Sequence, residues 1–192
     1  MVKVRFIFPC LALGLLCACG GGGGGGNNTP PPPQKATGLS YSDPSSGDFR
    51  LVKDNLSTRN KIILNLVSPV NGNGRGVAFT FTVDSAKAIL TKVAEADTEY
   101  VQNGVVLNLG GAPQLIKGIK QDGTLRVTVT EKGSGNAKPL NGVVARIAIQ
   151  FKPDANLNTG AFISIGVTEG QYLPALGAPQ VMNVNVGNLT TQ

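Results

Sequence analysis

A chain of 192 residues with 17 basic residues, 11 acids and no histidine carries a formal charge of +6. The lack of histidine removes the commonest general base and metal ligand, and with it every Ser-His or Cys-His nucleophile. The basic residues are scattered, with no run of four and no stripe interleaved with aromatics, so nucleic acid is not an expected partner.

The chain opens with Lys3 and Arg5 and then runs apolar or small from Phe6 to Ala18. A short positive region followed by a hydrophobic one is the pattern of a secretory signal. The stretch falls short of the roughly 20 apolar residues of a spanning helix. It ends in Leu16-Cys17-Ala18-Cys19-Gly20. This resembles the lipobox of bacterial lipoproteins, with an aliphatic residue at minus three, a small one at minus one, and then the cysteine that receives lipid. The resemblance implies a signal peptide over residues 1–18 and a lipid anchor on Cys19. Because Gly20 rather than aspartate follows, it also implies sorting to the outer membrane. Several acyl chains on one cysteine would anchor stably where one chain binds only marginally. Cys10, Cys17 and Cys19 are the only cysteines, so a processed chain is expected to have neither a disulfide nor a cysteine metal site.

Gly20 to Gly26 is an unbroken glycine run, followed by Asn27, Asn28, Thr29 and the prolines Pro30 to Pro33. Flexible coil of about ten such residues spans roughly 17 Å, and the stiff proline run adds about 12 Å. Residues 19–36 are therefore expected to form a lipidated tether ahead of a domain at 37–192. Roughly 150 residues suffice for one core without staples.

Within that domain the dominant period is two. Val77, Phe79, Phe81 and Val83 alternate with Ala78, Thr80, Thr82 and Asp84; Leu125, Val127 and Val129 alternate with Arg126, Thr128 and Thr130. Val143, Ala145, Ile147, Ile149 and Phe151 form a third set, and Met182, Val184 and Val186 a fourth. Ile62, Leu64 and Leu66, then Val105, Leu107 and Leu109, and the run from Ala161 to Thr168 extend the pattern. Such alternation buries one face of a strand and wets the other. Asn71-Gly72-Asn73-Gly74, Asn103-Gly104, Asp122-Gly123 and Asn141-Gly142 supply turn signals between the runs, and Asp84 is placed to cap one turn before Leu90. The expected fold is all-β, an antiparallel two-sheet sandwich, with a closed barrel as the alternative.

Two segments carry a further likeness. Arg75 to Leu90 takes a strand into an aspartate-led turn and then a leucine. Gly142 to Pro153 is a small-residue strand ending in Phe151-Lys152, with another strand from Ala161. Together they resemble cohesin-like domains. The resemblance implies a jelly-roll sandwich, shared with a superfamily of carbohydrate-binding modules, and a binding module like those that hold dockerins. It identifies no contact residue here.

No catalytic group emerges, and the chain is read as a non-enzyme that needs no cofactor. Glu95, Asp97 and Glu99 are the one local acid cluster. At spacing two on a strand they would share a face and could help hold calcium, although calcium wants six to eight ligands and no ligand loop surrounds them. Tryptophan is absent, so Tyr100 and Tyr172 are the candidates for a ligand-binding platform. The expected function is a membrane-anchored module that binds an envelope protein, as in the assembly of a secretion or pilus system. Binding of polysaccharide is the alternative.

Overall fold

The structure is a computed structural model that describes residues 31–68, 72–107, 114–131 and 137–192. Cys19, the signal segment and the glycine run lie outside the described residues. Pro33–Gln192 forms one compact unit.

The alternating runs become strands that pair through distant partners. In chain order they are β1 (Leu39–Ser42), β2 (Phe49–Lys53), β3 (Lys61–Ser68), β4 (Asn73–Val83), β5 (Ala88–Thr91), β6 (Val101–Asn103), β7 (Gln114–Gln121), β8 (Thr124–Glu131), β9 (Lys138–Pro139), β10 (Gly142–Phe151), β11 (Phe162–Ile163), β12 (Ile165–Pro174), β13 (Gln180–Val181), β14 (Val184–Asn185) and β15 (Asn188–Thr191). A 3-10 turn at Pro153–Ala155 is the one helical element among the described residues.

One sheet runs β14-β2-β3-β10-β5, with β6 also on β10; the other runs β13-β12-β4-β8-β7, with β9 on β4; and β1-β15-β11 forms a small third sheet. All pairings are antiparallel except β14 with β2. This is the expected two-sheet antiparallel sandwich. The sheets remain separate and do not close into the alternative barrel.

Between the sheets lies the core. Phe79, Phe81 and Val83 of β4 and Leu125, Val127 and Val129 of β8 meet Ile62, Leu64 and Leu66 of β3 and Ile147, Ile149 and Phe151 of β10. Phe81, Leu64 and Ile149 are completely buried. Burying each such side chain stabilises the fold by roughly 1.5–3 kcal/mol. The whole of this core belongs to the Pro33–Gln192 unit, which contains no cysteine, so it needs no staple to fold by itself.

The turn chemistry is seen most plainly at Asp122-Gly123. Asp122 adopts a left-handed φ of 51°, and Gln121 pairs directly with Thr124, a two-residue hairpin. Gly123 has a second duty, since a Cβ there would lie 2.2 Å from the Val83 carbonyl oxygen. Asp84 also acts as expected: its Oδ1 accepts from Ala86 N–H and its backbone oxygen from Lys87 and Ala88 N–H.

Several expectations are corrected. The residues at 105–107 form a turn instead of a strand. Gly104 and Val106 N–H instead donate to Val144 and Val143 carbonyls, so the chain follows β10 irregularly past Asn103. Asn73-Gly74 belongs to β4 and not to a turn. A bulge between Val143 and Ala145 shifts the parity of β10, so Val144 is buried in the core while Val143 is only half-buried. The run around Met182 is broken, because the chain leaves β12's sheet after Val181 and joins β2's sheet at Val184. Residues 34–36, expected in the tether, are part of the folded unit: Ala36 N–H donates to the Leu157 carbonyl and Thr159 N–H to that of Gln34.

Candidate interaction site

The two sheets present very different outer faces. On the sheet containing β3, the middle of the outer face is covered: Ile63 and Ala148 pack with Val93 in a second small cluster, and Asn65 is buried beside Asp54, while Ile89 and Gln150 towards its β5 side are exposed. On the sheet containing β4, no outward side chain among the described residues is buried.

Strand register orders this open face into rows. Val181, Gln171, Ala78, Thr128 and Lys117 stand side by side across β13, β12, β4, β8 and β7. Thr168, Thr80, Arg126 and Ile119 form the next row, and Gly166, Thr82, Thr124 and Gln121 the one after. With strands about 4.8 Å apart and like-facing residues about 6.8 Å apart, the face measures roughly 20 Å each way. Its centre is threonine and alanine, short side chains that leave it flat. Its charges are few: Arg126 and Lys117 on one side and Glu169 on the other.

Glu169 reaches this face through a bulge. Thr168 pairs with Thr80 and Gln171 with Ala78, so β12 carries one extra residue. Glu169 takes a left-handed φ of 53°, a conformation uncommon for a side chain of this type, and its Oε2 accepts from Thr80 Oγ1 at 2.7 Å. The neighbouring Gly170 is required for close approach, since a Cβ would meet the Met182 carbonyl oxygen at 2.1 Å. A strained residue whose only gain is an exposed hydrogen bond is expected to cost stability. Glu169→Gly should therefore raise the unfolding free energy by roughly 0.5 kcal/mol, the relief of left-handed strain outweighing the lost bond. Urea melts would show it as a higher midpoint at unchanged slope. Beside the bulge, Gly76, Ala78, Thr128, Thr130, Leu173 and Pro179 line a shallow, mainly apolar hollow of about 160 Å³.

Of the residues singled out from the sequence, Tyr172 lines this hollow and Glu99 reaches Lys117 at the edge of the face; the others lie elsewhere. Glu95, Asp97 and Glu99 are on an irregular segment, not a strand, and do not share a face. Asp97 Oδ2 accepts from Ala94 N–H, and both its oxygens accept from Gln102 Nε2. Glu99 accepts from Gly118 N–H at 3.0 Å and pairs with Lys117 Nζ at 3.1 Å. The Gly118 N–H holds the Glu99 carboxyl below its ordinary value, with Lys117 adding to the effect against a desolvation cost. Among the described residues no group of three or more His, Cys, Asp and Glu could hold a metal ion. Tyr100 and Tyr172 both pack against the core. Tyr100 lies next to Gly118 of β7, with Lys120 Nζ 5.2 Å from its ring centre; Tyr172 is on β12, its ring centre 5.8 Å from that of Phe49 and tilted by 32°, with its hydroxyl donating to Gln180. β7 and β12 lie on either side of the β4–β8 pair, so the two tyrosines form no common platform.

The sequence matches no protein-family model and no curated protein. Solved structures do resemble the fold. The sixth cohesin of scaffoldin B from Acetivibrio cellulolyticus, solved in complex with a Cel5 dockerin, superposes with a TM-score of 0.54 at 16% identity, over 79% of this chain and 97% of that one. A type II cohesin domain from the cellulosome of the same organism gives 0.54 at 13% identity, over 82% and 95%. A type I cohesin from Clostridium thermocellum, solved as a cohesin–dockerin complex, gives 0.51 at 13% identity, over 71% and 83%. These likenesses establish a cohesin-like sandwich.

Proposed function

We propose that the chain is an extracytoplasmic docking module that binds a protein partner on the outer face of the β13-β12-β4-β8-β7 sheet and is held to the outer membrane by lipid on Cys19. The observation that carries the docking role is the open face itself. It is flat, five strands wide and without a buried outward side chain among the described residues, whereas the other sheet has Ile63, Asn65 and Ala148 buried on its outer face. Flat surfaces of this kind suit a macromolecule better than a small ligand, which prefers a concave site. Two of the similar cohesins were solved with a dockerin bound, and this supports a protein as the occupant. The anchor rests on the Leu16-Cys17-Ala18-Cys19 pattern and the tether that follows it. The glycine and proline run would carry the face clear of the bilayer, a setting that suits assembly of a secretion or pilus system. The polysaccharide alternative loses support, because Tyr100 and Tyr172 are each partly buried against the core and lie apart from one another, so they form no common platform.

Thr128→Arg tests the docking role. Thr128 stands in the middle of the face between Ala78 and Lys117, and its side chain is not part of the core, so folding should be unaffected. A long cation at the centre of an interface is expected to reduce partner capture more than tenfold. The check is co-purification from gently solubilised envelopes. One protein should be retained stoichiometrically by the wild type and lost with Thr128→Arg. Equal retention by both proteins, or retention by insoluble glycan alone, would contradict the reading.

A further inference from the structure

The long free edge of the open-faced sheet is β7. Its eight residues pair with β8 on one side, and among the described residues no strand is hydrogen-bonded to the other, although Tyr100 and Val101 pack close to Gly118. The two-residue hairpin fixes which backbone groups point outwards. Gln121 and Thr124 close the turn as a hydrogen-bonded pair, so by antiparallel alternation Ile119 and Lys117 also bond to β8, while Lys120, Gly118 and Ile116 turn their N–H and C=O groups to the edge. The Gly118 N–H bears this out, since it leaves the sheet to donate to Glu99 Oε2. An unpaired edge of this length is a template for another strand. Here a carboxylate occupies the position that a partner strand's carbonyl would take, and it is steadied there by Lys117 Nζ.

The edge sequence complements itself. If two β7 strands met antiparallel about Gly118, each Gly118 would face its own copy and Ile116 would face Lys120 of the partner subunit. On the outer face Lys117 would lie opposite Ile119 of the partner subunit. No like charges oppose one another, and every lysine stem would lie along an isoleucine. Ile119 is 54% exposed in the single chain, and the Lys117 side chain 53%, so both are available.

We propose that β7 is a pairing edge for a second copy of this chain, held shut by Glu99. Opened, it joins two five-stranded sheets into one continuous sheet and sets the two open faces side by side. The pairing does not depend on what the faces bind, so it stands or falls separately from the docking role.

The test uses residues 33–192, which contain no cysteine, and traps the register. Lys117→Cys and Ile119→Cys proteins are prepared separately in a Glu99→Ala background and mixed under mild oxidation. In the proposed junction, position 117 meets position 119 of the partner subunit as a non-hydrogen-bonded pair, with Cα atoms about 4.5 Å apart, within disulfide reach. The mixture is expected to give the 117–119 heterodimer. Either protein alone should give little dimer, and restoring Glu99 should slow trapping at least tenfold. Glu99→Gln keeps an oxygen for Gly118 N–H but loses the ion pair, and should trap at an intermediate rate. Absence of the heterodimer, equal trapping by either protein alone, or equal rates with and without Glu99 would overturn the proposal. If Glu99→Ala does not fold, a Glu99→Gln rate no higher than wild type would overturn it as well.

Discussion

Asp54→Ala is expected to lower the unfolding free energy by about 3 kcal/mol, because Asp54 is a charged group buried on the outside of a sheet. It is only 8% exposed, and it is fully engaged. Oδ1 accepts from Leu56 N–H at 2.8 Å, Oδ2 accepts from Asn65 Nδ2 at 2.7 Å, and Arg146 Nε stands 3.5 Å from Oδ2 while also donating to Asn65 Oδ1. The residue thus ties β3 to β10 and shapes the Asp54–Lys61 loop. Removing it strands an arginine, an amide and a backbone N–H together. In a domain of this size the loss corresponds to a fall in Tm of roughly 6–12 °C, read by calorimetry. The pH dependence has a definite sign. Burial by itself pushes the carboxyl up, but the Leu56 N–H, the Asn65 amide and the Arg146 charge outweigh it and hold the group below its ordinary 3.8. A carboxyl depressed in the folded state contributes stability that is present above the unfolded-state value and is lost as pH falls through the folded one. Wild type should therefore lose stability below about pH 4 more steeply than Asp54→Ala. Parallel acid-melting curves would contradict this.

Tyr41→Phe is expected to cost roughly 2–3 kcal/mol, although it removes a single oxygen. The Tyr41 hydroxyl donates to the Leu51 carbonyl at 2.7 Å and accepts from Gly187 N–H at 2.7 Å. It therefore pins β1 to β2 and to the approach to β15. Without it a buried carbonyl and a partly buried N–H have no protein partner, and each such group costs about 1–3 kcal/mol according to its access to water. Gly187 has no room to adjust, since a Cβ there would lie 1.8 Å from the Ser42 carbonyl oxygen. Burial pushes the phenol up to about 12, with the Gly187 N–H opposing and Asp43 adding. A group raised in the folded state gives stability that is complete below the unfolded value of about 10 and is lost as pH rises through the folded one. The deficit of Tyr41→Phe should therefore be constant at neutral pH and shrink between pH 10 and 12. A deficit unchanged across that window would show that the hydroxyl is not the titrating group.

The strands β4 and β8 were legible because their alternation is long and each buries one face; β10 was legible from Ala145 onward, but not the bulge before it nor the burial of Ala148 on its outer side. β7 was not: Leu115-Ile116-Lys117-Gly118-Ile119-Lys120 puts an isoleucine and a lysine on each face, and only pairing with β8 decides which side is inner. The acid segment was misread for a related reason. Spacing two implies a shared face only on a strand, and the Asp97 carboxylate instead closes a turn with Ala94 N–H. The outward position of Thr80, Thr82, Thr128 and Thr130 could be read from the alternation. What the sequence hid was that these positions adjoin, which depends on the register Ala78 to Thr128 and Thr80 to Arg126. The extra residue that brings Glu169 onto the face left no trace beyond a glycine at 170. The partial covering of the other sheet, by Val93 and by the buried Asp54 and Asn65, arises from long-range packing that no local pattern records.

The most direct test of the docking role is a photo-crosslinking map made in the cell that produces the protein. A photoreactive side chain would be placed in turn at Thr80, Thr128 and Gln171 on the open face, and at Gln150 on the opposite sheet as a control. The account predicts that the three face positions yield adducts with one and the same protein while position 150 yields none. Adducts that form equally from position 150, or none from the face, would contradict it.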